Sequence, residues 1–221
     1  MNTGTFAGFG AAAVDFYEGL EADNSRAYWT EHRARWEEHV RAPMLALLED
    51  LEPEFGAGKI FRPHRDVRFS ADKSPYKVQC AATAASGGYV QVSADGLMAA
   101  VGYYRMVPAQ VARYRAAVDD DRTGGELAAV VGALREEGHT IDGDRLRTRP
   151  RGTAPDHPRL DLLRHRGLYA WRAFPPDDAL HSPAALDRVR ATWRRLEPLR
   201  DWLDAHVGHL PDDETRRPGR S

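Results

Sequence analysis

The spacing of hydrophobic positions changes along the chain, and each change marks an element. Phe9, Ala13, Phe16, Tyr17 and Leu20 recur at the i, i+4, i+7, i+8 and i+11 spacing of one helical face. Asp23-Asn24-Ser25 supplies a break and a cap, and Trp29, Arg33, Trp36 and Val40 mark a second helix. Pro43 kinks that helix or opens a third, which carries Leu47, Leu48 and Leu51. Beyond Gly58 the period falls to two. Over 62–70 the even positions are Arg62, His64, Asp66, Arg68 and Ser70, with Val67 and Phe69 among the odd ones, a strand pattern. Tyr76, Val78, Cys80, Ala82 and Ala84 form one face of a further strand, opposite Lys77, Gln79 and Thr83. In GYVQVSADGLMAAVGYY, Asp95-Gly96 favours a two-residue type I′ turn. That turn sets Ala94 opposite Leu97, Val92 opposite Ala99 and Val90 opposite Val101, all on one apolar face.

The C-terminal half returns to helical spacing. Pro108 opens a helix carrying Val111, Tyr114 and Val118, and Thr123-x-x-Glu126 reads as a capping box ahead of Leu127, Val130, Val131 and Leu134. A short strand or hairpin over 139–149 precedes the loop RPRGTAPDHP, where His157 is a plausible cap with Pro158 at the first helical position. LYAWRAF reads as a strand. Ser182-Pro183 starts a long helix with Leu186, Val189, Trp193 and Leu196 inward and an interruption at Pro198. No regular strand–helix–strand alternation is present, which favours an α+β fold. The expected architecture is a mainly antiparallel sheet with helices packed on one face, N-terminal helices and a long C-terminal helix. A chain of 221 residues fits one such domain over 1–210, with a polar, disordered tail at 211–221.

Composition narrows the function classes. The formal net charge of −2 offers no global basic field, which counts against nucleic acid as a partner. The single cysteine, Cys80, excludes an intramolecular disulfide and fits a reducing compartment. The N-terminus has no positively charged leader pattern, and no apolar run approaches the roughly 20 residues of a membrane span. A cytoplasmic protein with no membrane contact is expected; the oligomeric state stays open. Gly8-Phe9-Gly10 lacks a preceding strand and a full glycine fingerprint, so no cofactor is expected. His32 and His39 read as exposed helix polarity, and His206-x-x-His209 sits at a fraying helix end, so no metal is expected either. Charge is nonetheless uneven. All three lysines, Lys59, Lys73 and Lys77, fall within KIFRPHRDVRFSADKSPYK (59–77), while arginine supplies the rest of the thirty-one basic residues.

Arg62-x-x-Arg65-Asp66-x-Arg68-Phe69 followed by Asp72-Lys73-x-x-Tyr76 resembles the signature of a widespread family of uncharacterised bacterial proteins of about this length, a domain of unknown function. DNSRAYWTEHR (23–33) is similar to the family's N-terminal Asn-Asn-x-Arg-x-Trp-Phe segment, and RPRGTAPDHP (149–158) to its Pro-Arg-Gly…Asp-His-Pro loop. Asp23 stands where Asn is usual, and Tyr28-Trp29 replaces Trp-Phe. The resemblance spans most of residues 11–207 and implies a shared fold. It transfers no activity.

Read by chemistry, 62–77 is an anion site in outline. Guanidinium forks take phosphate or carboxylate in a bidentate way, and lysine adds a compact charge. The candidate ligand-binding residues are Arg62, Arg65, Asp66, Arg68, Lys73, Tyr76 and Lys77, joined by Arg151 and His157 from the later loop. On a strand, Arg62, Asp66 and Arg68 would share a side, with Asp66 orienting an arginine. Lys73, Asp66 and His157 are the candidates for acid–base work on a phosphorylated or carboxylated small molecule. Two other readings stay open: an ion-pair network tying a strand to the helices, and a non-catalytic surface that meets a protein or nucleic-acid partner. Ser70-Ala71-Asp72-Lys73 matches S-x-x-K, but the S-D-N and K-T-G elements that accompany it are missing.

Overall fold

The computed structural model describes residues 5–66, 68 and 72–208. The tail expected at 211–221, His209, Val67, and Phe69, Ser70 and Ala71 lie outside the described residues. The fold is α+β, with helices α1 (Ala11–Ala22), α2 (Arg26–Trp36), α3 (Ala42–Phe55), α4 (Pro108–Asp119), α5 (Asp121–Glu136), α6 (Leu160–Leu163) and α7 (Ala184–His206). Strands β1 (Gly58–Ile60), β2 (Gln79–Ala84), β3 (Gly88–Ser93), β4 (Gly96–Tyr103), β5 (Thr140–Asp142) and β6 (Leu168–Phe174) run in the order β1-β2-β3-β4-β6-β5. The β1–β2, β2–β3 and β3–β4 pairings are antiparallel. The described residues form two compact units, one within 5–101 and 171–195, the other within 102–170 and 196–208.

In the first unit, the stripe of α1 buries Ala13, Phe16, Tyr17 and Leu20. Ser25 caps α2 through its hydroxyl, which accepts from the Tyr28 N–H at 3.1 Å. The helical course then passes through one π turn, Glu37–Arg41, before α3. Pro43 explains it: a proline ring clashes with the carbonyl four residues back and offers no N–H, and a π turn absorbs both defects without ending the helix. Gly56, at φ +76°, stops α3. Trp193 of α7 lies over Gly88, donates its indole N–H to the Tyr89 carbonyl at 3.0 Å and packs edge-on against Phe55. A side chain at Gly88 would displace that indole.

The β3–β4 hairpin keeps the expected faces in a different register. Ser93 pairs with Gly96, Val92 with Leu97 and Val90 with Ala99, so the turn is Ala94-Asp95, with Gly96 just past it. Type I′ requires positive φ at both central residues, and among the described residues only glycines adopt it. Gly96 itself takes φ +102°, and its α-carbon abuts the Phe174 carbonyl, so no other residue fits. Moving the pairing by two positions preserves the alternation; Val90, Val92, Leu97 and Ala99 all remain buried.

The strand expected over 62–70 does not form as a regular strand among the described residues. His64 and Tyr76 make an isolated antiparallel bridge, flanked by the Arg65 N–H on the Pro75 carbonyl at 2.9 Å and the Lys77 N–H on the Pro63 carbonyl at 2.8 Å. Pro63 and Pro75 accept but cannot donate, so the ladder stops with them. The result is an arm, residues 61–66 and 72–78, that continues from β1 and β2.

In the second unit, Asp120 caps α5 by accepting from the Arg122 and Thr123 N–H groups, while Thr123 lies inside the helix, its hydroxyl on the Ala117 carbonyl. The sequence favours Thr123 as cap, yet the aspartate three residues earlier takes the role. Trp202 of α7 donates to the Thr123 carbonyl at 2.9 Å, and the Tyr114 hydroxyl to that of Leu162 at 2.9 Å. Pro198 lies within α7 and does not end it.

His165 is buried, with Nδ1 on the Gly167 carbonyl at 2.9 Å. Burial lowers its pKa, outweighing the carbonyl; Arg145 and Arg135 push it down further, and Asp142 pushes it up. The folded state therefore prefers the neutral ring. Its stabilising contribution is complete above the ordinary value of about 6.5 and is lost as pH falls through the depressed folded value. His165→Asn retains a donor near Nδ1 and removes the titration. Urea denaturation from pH 7.5 downward should show the parent losing stability below about pH 6.5 more steeply than the variant; parallel curves would exclude His165 as the source.

Candidate functional site

Asn24, immediately before the Ser25 cap, organises the arm. Its Oδ1 accepts from the Tyr76 N–H at 3.1 Å, and its Nδ2 donates to the Tyr76 carbonyl at 3.1 Å. One carboxamide thus occupies the main-chain edge of Tyr76 as a neighbouring strand would. The Tyr76 ring is buried and stacks on Trp29 at 4.4 Å, with planes 10° apart. Trp29 leans on Trp36, and His64, itself exposed, closes the cluster at 5.1 Å from Tyr76. The segments 23–33 and 62–77, read separately in the sequence, therefore meet through Asn24, Trp29 and Tyr76.

The charged side chains pair locally on this frame. Arg68 grips Asp66 with Nε at 2.9 Å and a terminal nitrogen at 2.6 Å, and its own N–H meets the same carboxylate at 3.3 Å. Arg65 pairs with Asp72, whose other oxygen accepts from the Ser74 N–H at 2.9 Å. The fork of Arg68 holds Asp66 down to about 2. The Ser74 hydrogen bonds, reinforced by Arg65, hold Asp72 down to about 2 as well. Both carboxylates are ionised throughout the physiological range. The pairs sit in solvent: the Arg68 side chain is 73% exposed and that of Asp66 45%.

Arg62 is exposed and makes no hydrogen bond or ion pair among the described residues. Lys77 is half-buried, with Nζ 5.4 Å over the Phe61 ring. Partial burial lowers its pKa, and the positive charge of Arg62 lowers it further. Lys73 is exposed beside Asp72. Cys80, at the start of β2, is buried and its thiol is pushed up to about 12, as the sequence pattern of a small core residue implies.

Arg151 and His157 belong to the second unit. Arg151 is exposed in a turn. His157 is mostly covered; its Nδ1 accepts from the Arg159 N–H at 3.0 Å, which leaves the ring proton on Nε2, 3.2 Å from the Asp119 carboxylate. Arg159 in turn donates to the Val118 and Asp119 carbonyls at 2.7 and 2.9 Å. His157 and Arg159 thereby fasten the loop to the C-terminal end of α4, where cations and donors satisfy the last carbonyls. The helix expected from Pro158 begins at Leu160.

Sequence reasoning named Tyr76 and passed over Asn24. Its position before the cap of α2 reads as a break, and its partner is 52 residues away. Asn24→Ala strips both main-chain groups of Tyr76 and should cost about 1–3 kcal/mol in urea denaturation followed by tryptophan fluorescence. Asn24→Asp keeps one hydrogen bond and sets a carboxylate against the Tyr76 carbonyl, so it should not restore stability. A cost for Asn24→Ala below about 0.5 kcal/mol would show that water replaces the amide.

Among the described residues, no three His, Cys, Asp or Glu side chains converge as a metal-binding set, and no helix is long and apolar enough to cross a membrane. No curated protein and no solved structure matches the chain. A family described as "Conserved hypothetical protein (DUF2461)" matches residues 12–202, which includes α2, the arm and the His157 loop. The chain belongs to this family, a domain of unknown function.

Proposed function

We propose that the chain binds an anionic group, the phosphate or carboxylate of a small molecule, on the cationic arm. The observation that carries this reading is the contrast between Arg62 and the other two arginines. Arg65 and Arg68 have their forks engaged by Asp72 and Asp66, whereas Arg62 keeps its donors available and stands near enough to Lys77 to depress its pKa. Two cations held close together repel, and an anion between them relieves that repulsion while gaining charge-assisted hydrogen bonds. Lys73 adds a compact ammonium on the return of the same arm.

Binding fits the geometry better than acid–base catalysis does. Asp66 stays ionised down to about 2 and cannot supply a proton near neutral pH. His157 has one nitrogen on a main-chain N–H and the other on Asp119, so neither is available to a reacting group. A second reading, in which the anion belongs to the surface of a partner, draws support from exposure: Arg62, Asp66, Arg68, Asp72 and Lys73 all face solvent.

Millimolar phosphate, sulfate or citrate should raise the melting temperature of the parent, because a ligand bound only by the folded state stabilises it by mass action. Chloride at matched ionic strength should not. Arg62→Gln should weaken the effective anion about tenfold with little change in the unliganded melting temperature. Equal shifts with chloride, or an undiminished response in Arg62→Gln, would reduce the effect to screening. Binding to poly-glutamate without a response to small anions would favour the partner reading.

A further inference from the structure

β1 ends the strand order, and among the described residues only β2 pairs with it. The antiparallel pattern decides where its main-chain groups point. Ala85 donates to the Ala57 carbonyl and Phe61 to that of Ala81, so Ala57, Lys59 and Phe61 turn toward β2 while Gly58 and Ile60 turn away. The His64–Tyr76 bridge repeats this geometry, because its hydrogen bonds run through the flanking residues and leave His64 and Tyr76 facing outward. On the Tyr76 side Asn24 occupies the outward groups. On the other side the outward groups of Gly58, Ile60 and His64 have no hydrogen-bond partner among the described residues. Leu48 of α3 covers one face of Gly58, which leaves the edge itself open.

We propose that this edge, from Gly58 to His64, accepts an extended acidic peptide segment as an added strand. The proposal rests on the partner form of the anion reading and names the partner. Main-chain hydrogen bonds to Gly58, Ile60 and His64 supply affinity, and Lys59 and Arg62, both exposed along the same edge, select for carboxylates. The same two cations oppose a second copy of this chain, because edge-to-edge pairing would bring like charges together. Pro63 turns its carbonyl to the Lys77 N–H, so the donor that it lacks lies on the inner side and takes nothing from the outer edge.

The test uses a fluorescein-labelled peptide of alternating glutamate and valine, read by fluorescence anisotropy. It should bind the parent, and a lysine–valine counterpart should not. Ile60→Pro deletes an outward N–H that the sheet does not use, and should weaken binding about tenfold while the phosphate response persists. Should Ile60→Pro fail to fold, the parent still decides the matter: methylating alternate amides of the peptide removes the donors of one edge, and methylating the other set leaves them. One of the two methylated peptides should bind and the other should not. Equal binding of both methylated peptides, undiminished binding by a folded Ile60→Pro, or no binding of the acidic peptide at all would each overturn the proposal. Concentration-dependent self-association of the parent, lost in Ile60→Pro, would overturn it in favour of a second copy. The phosphate response is scored separately, so strand addition can fail while anion binding stands, and the reverse.

Discussion

Tyr76 turns its N–H and carbonyl away from the strand that it bridges, and Asn24 satisfies both with one side chain. Among the described residues, no regular ladder runs along the arm beyond the Phe61–Ala81 bond and the His64–Tyr76 bridge. Prolines on both of its limbs prevent a continuous ladder, and its ion pairs are exposed, where such pairs contribute little. What fixes the arm is therefore apolar and polar contact at one point: the Tyr76 ring buried on Trp29, with the carboxamide beside it. An aspartate at position 24 would lack the donor, and a serine would not span both groups. The position requires an amide for geometric reasons, whatever the arm recognises.

This arrangement separates rigid from adaptable parts. Near Tyr76 the backbone is held in two directions, by the His64 bridge and by Asn24 ahead of α2. Further out, Arg65–Asp72 and Arg68–Asp66 are short-range pairs within the arm, so they shape the loop without tying it to the core. A recognition surface benefits from that division. Arg62 and Lys77 lie close to the anchored end and feel each other's charge, while the distal pairs neutralise one another and limit nonspecific attraction. The three lysines occupy different settings: Lys59 on the edge strand, Lys77 over an aromatic ring and Lys73 in solvent. Scarcity of lysine elsewhere thus coincides with several distinct uses here rather than with one shared pocket.

Most of the fold was legible because it rests on local rules. The stripe of α1, the glycine and valine pattern of the β3–β4 hairpin and the long apolar face of α7 each carry a period strong enough to survive packing. The misreadings occur where two signals compete. Asp95-Gly96 is a good type I′ pair, yet Gly96 is required against the Phe174 carbonyl, and a contact 78 residues away moved the turn by one position. Thr123 and Asp120 are both acceptable caps, and the α4–α5 corner selects the aspartate, freeing the threonine hydroxyl for Ala117. In 62–70 the alternation is real, but alternation predicts side-chain direction and not hydrogen-bond supply, which Pro63 and Pro75 withhold.

The candidate site was legible in its location and only partly in its roles. Residue type pointed to 62–77, but type alone cannot say which arginine is already satisfied; that depends on Asp66 and Asp72 folding back over two and seven residues. Net positive charge along a sequence is therefore an upper bound on what a ligand meets. Among the described residues, the arm and its edge keep Lys59, Arg62 and Lys77 outside ion pairs, beside a strand whose outward main-chain groups have no partner there. Charge and main-chain valence coincide there. A phosphate would use the first alone, whereas the extended acidic segment proposed above would use both.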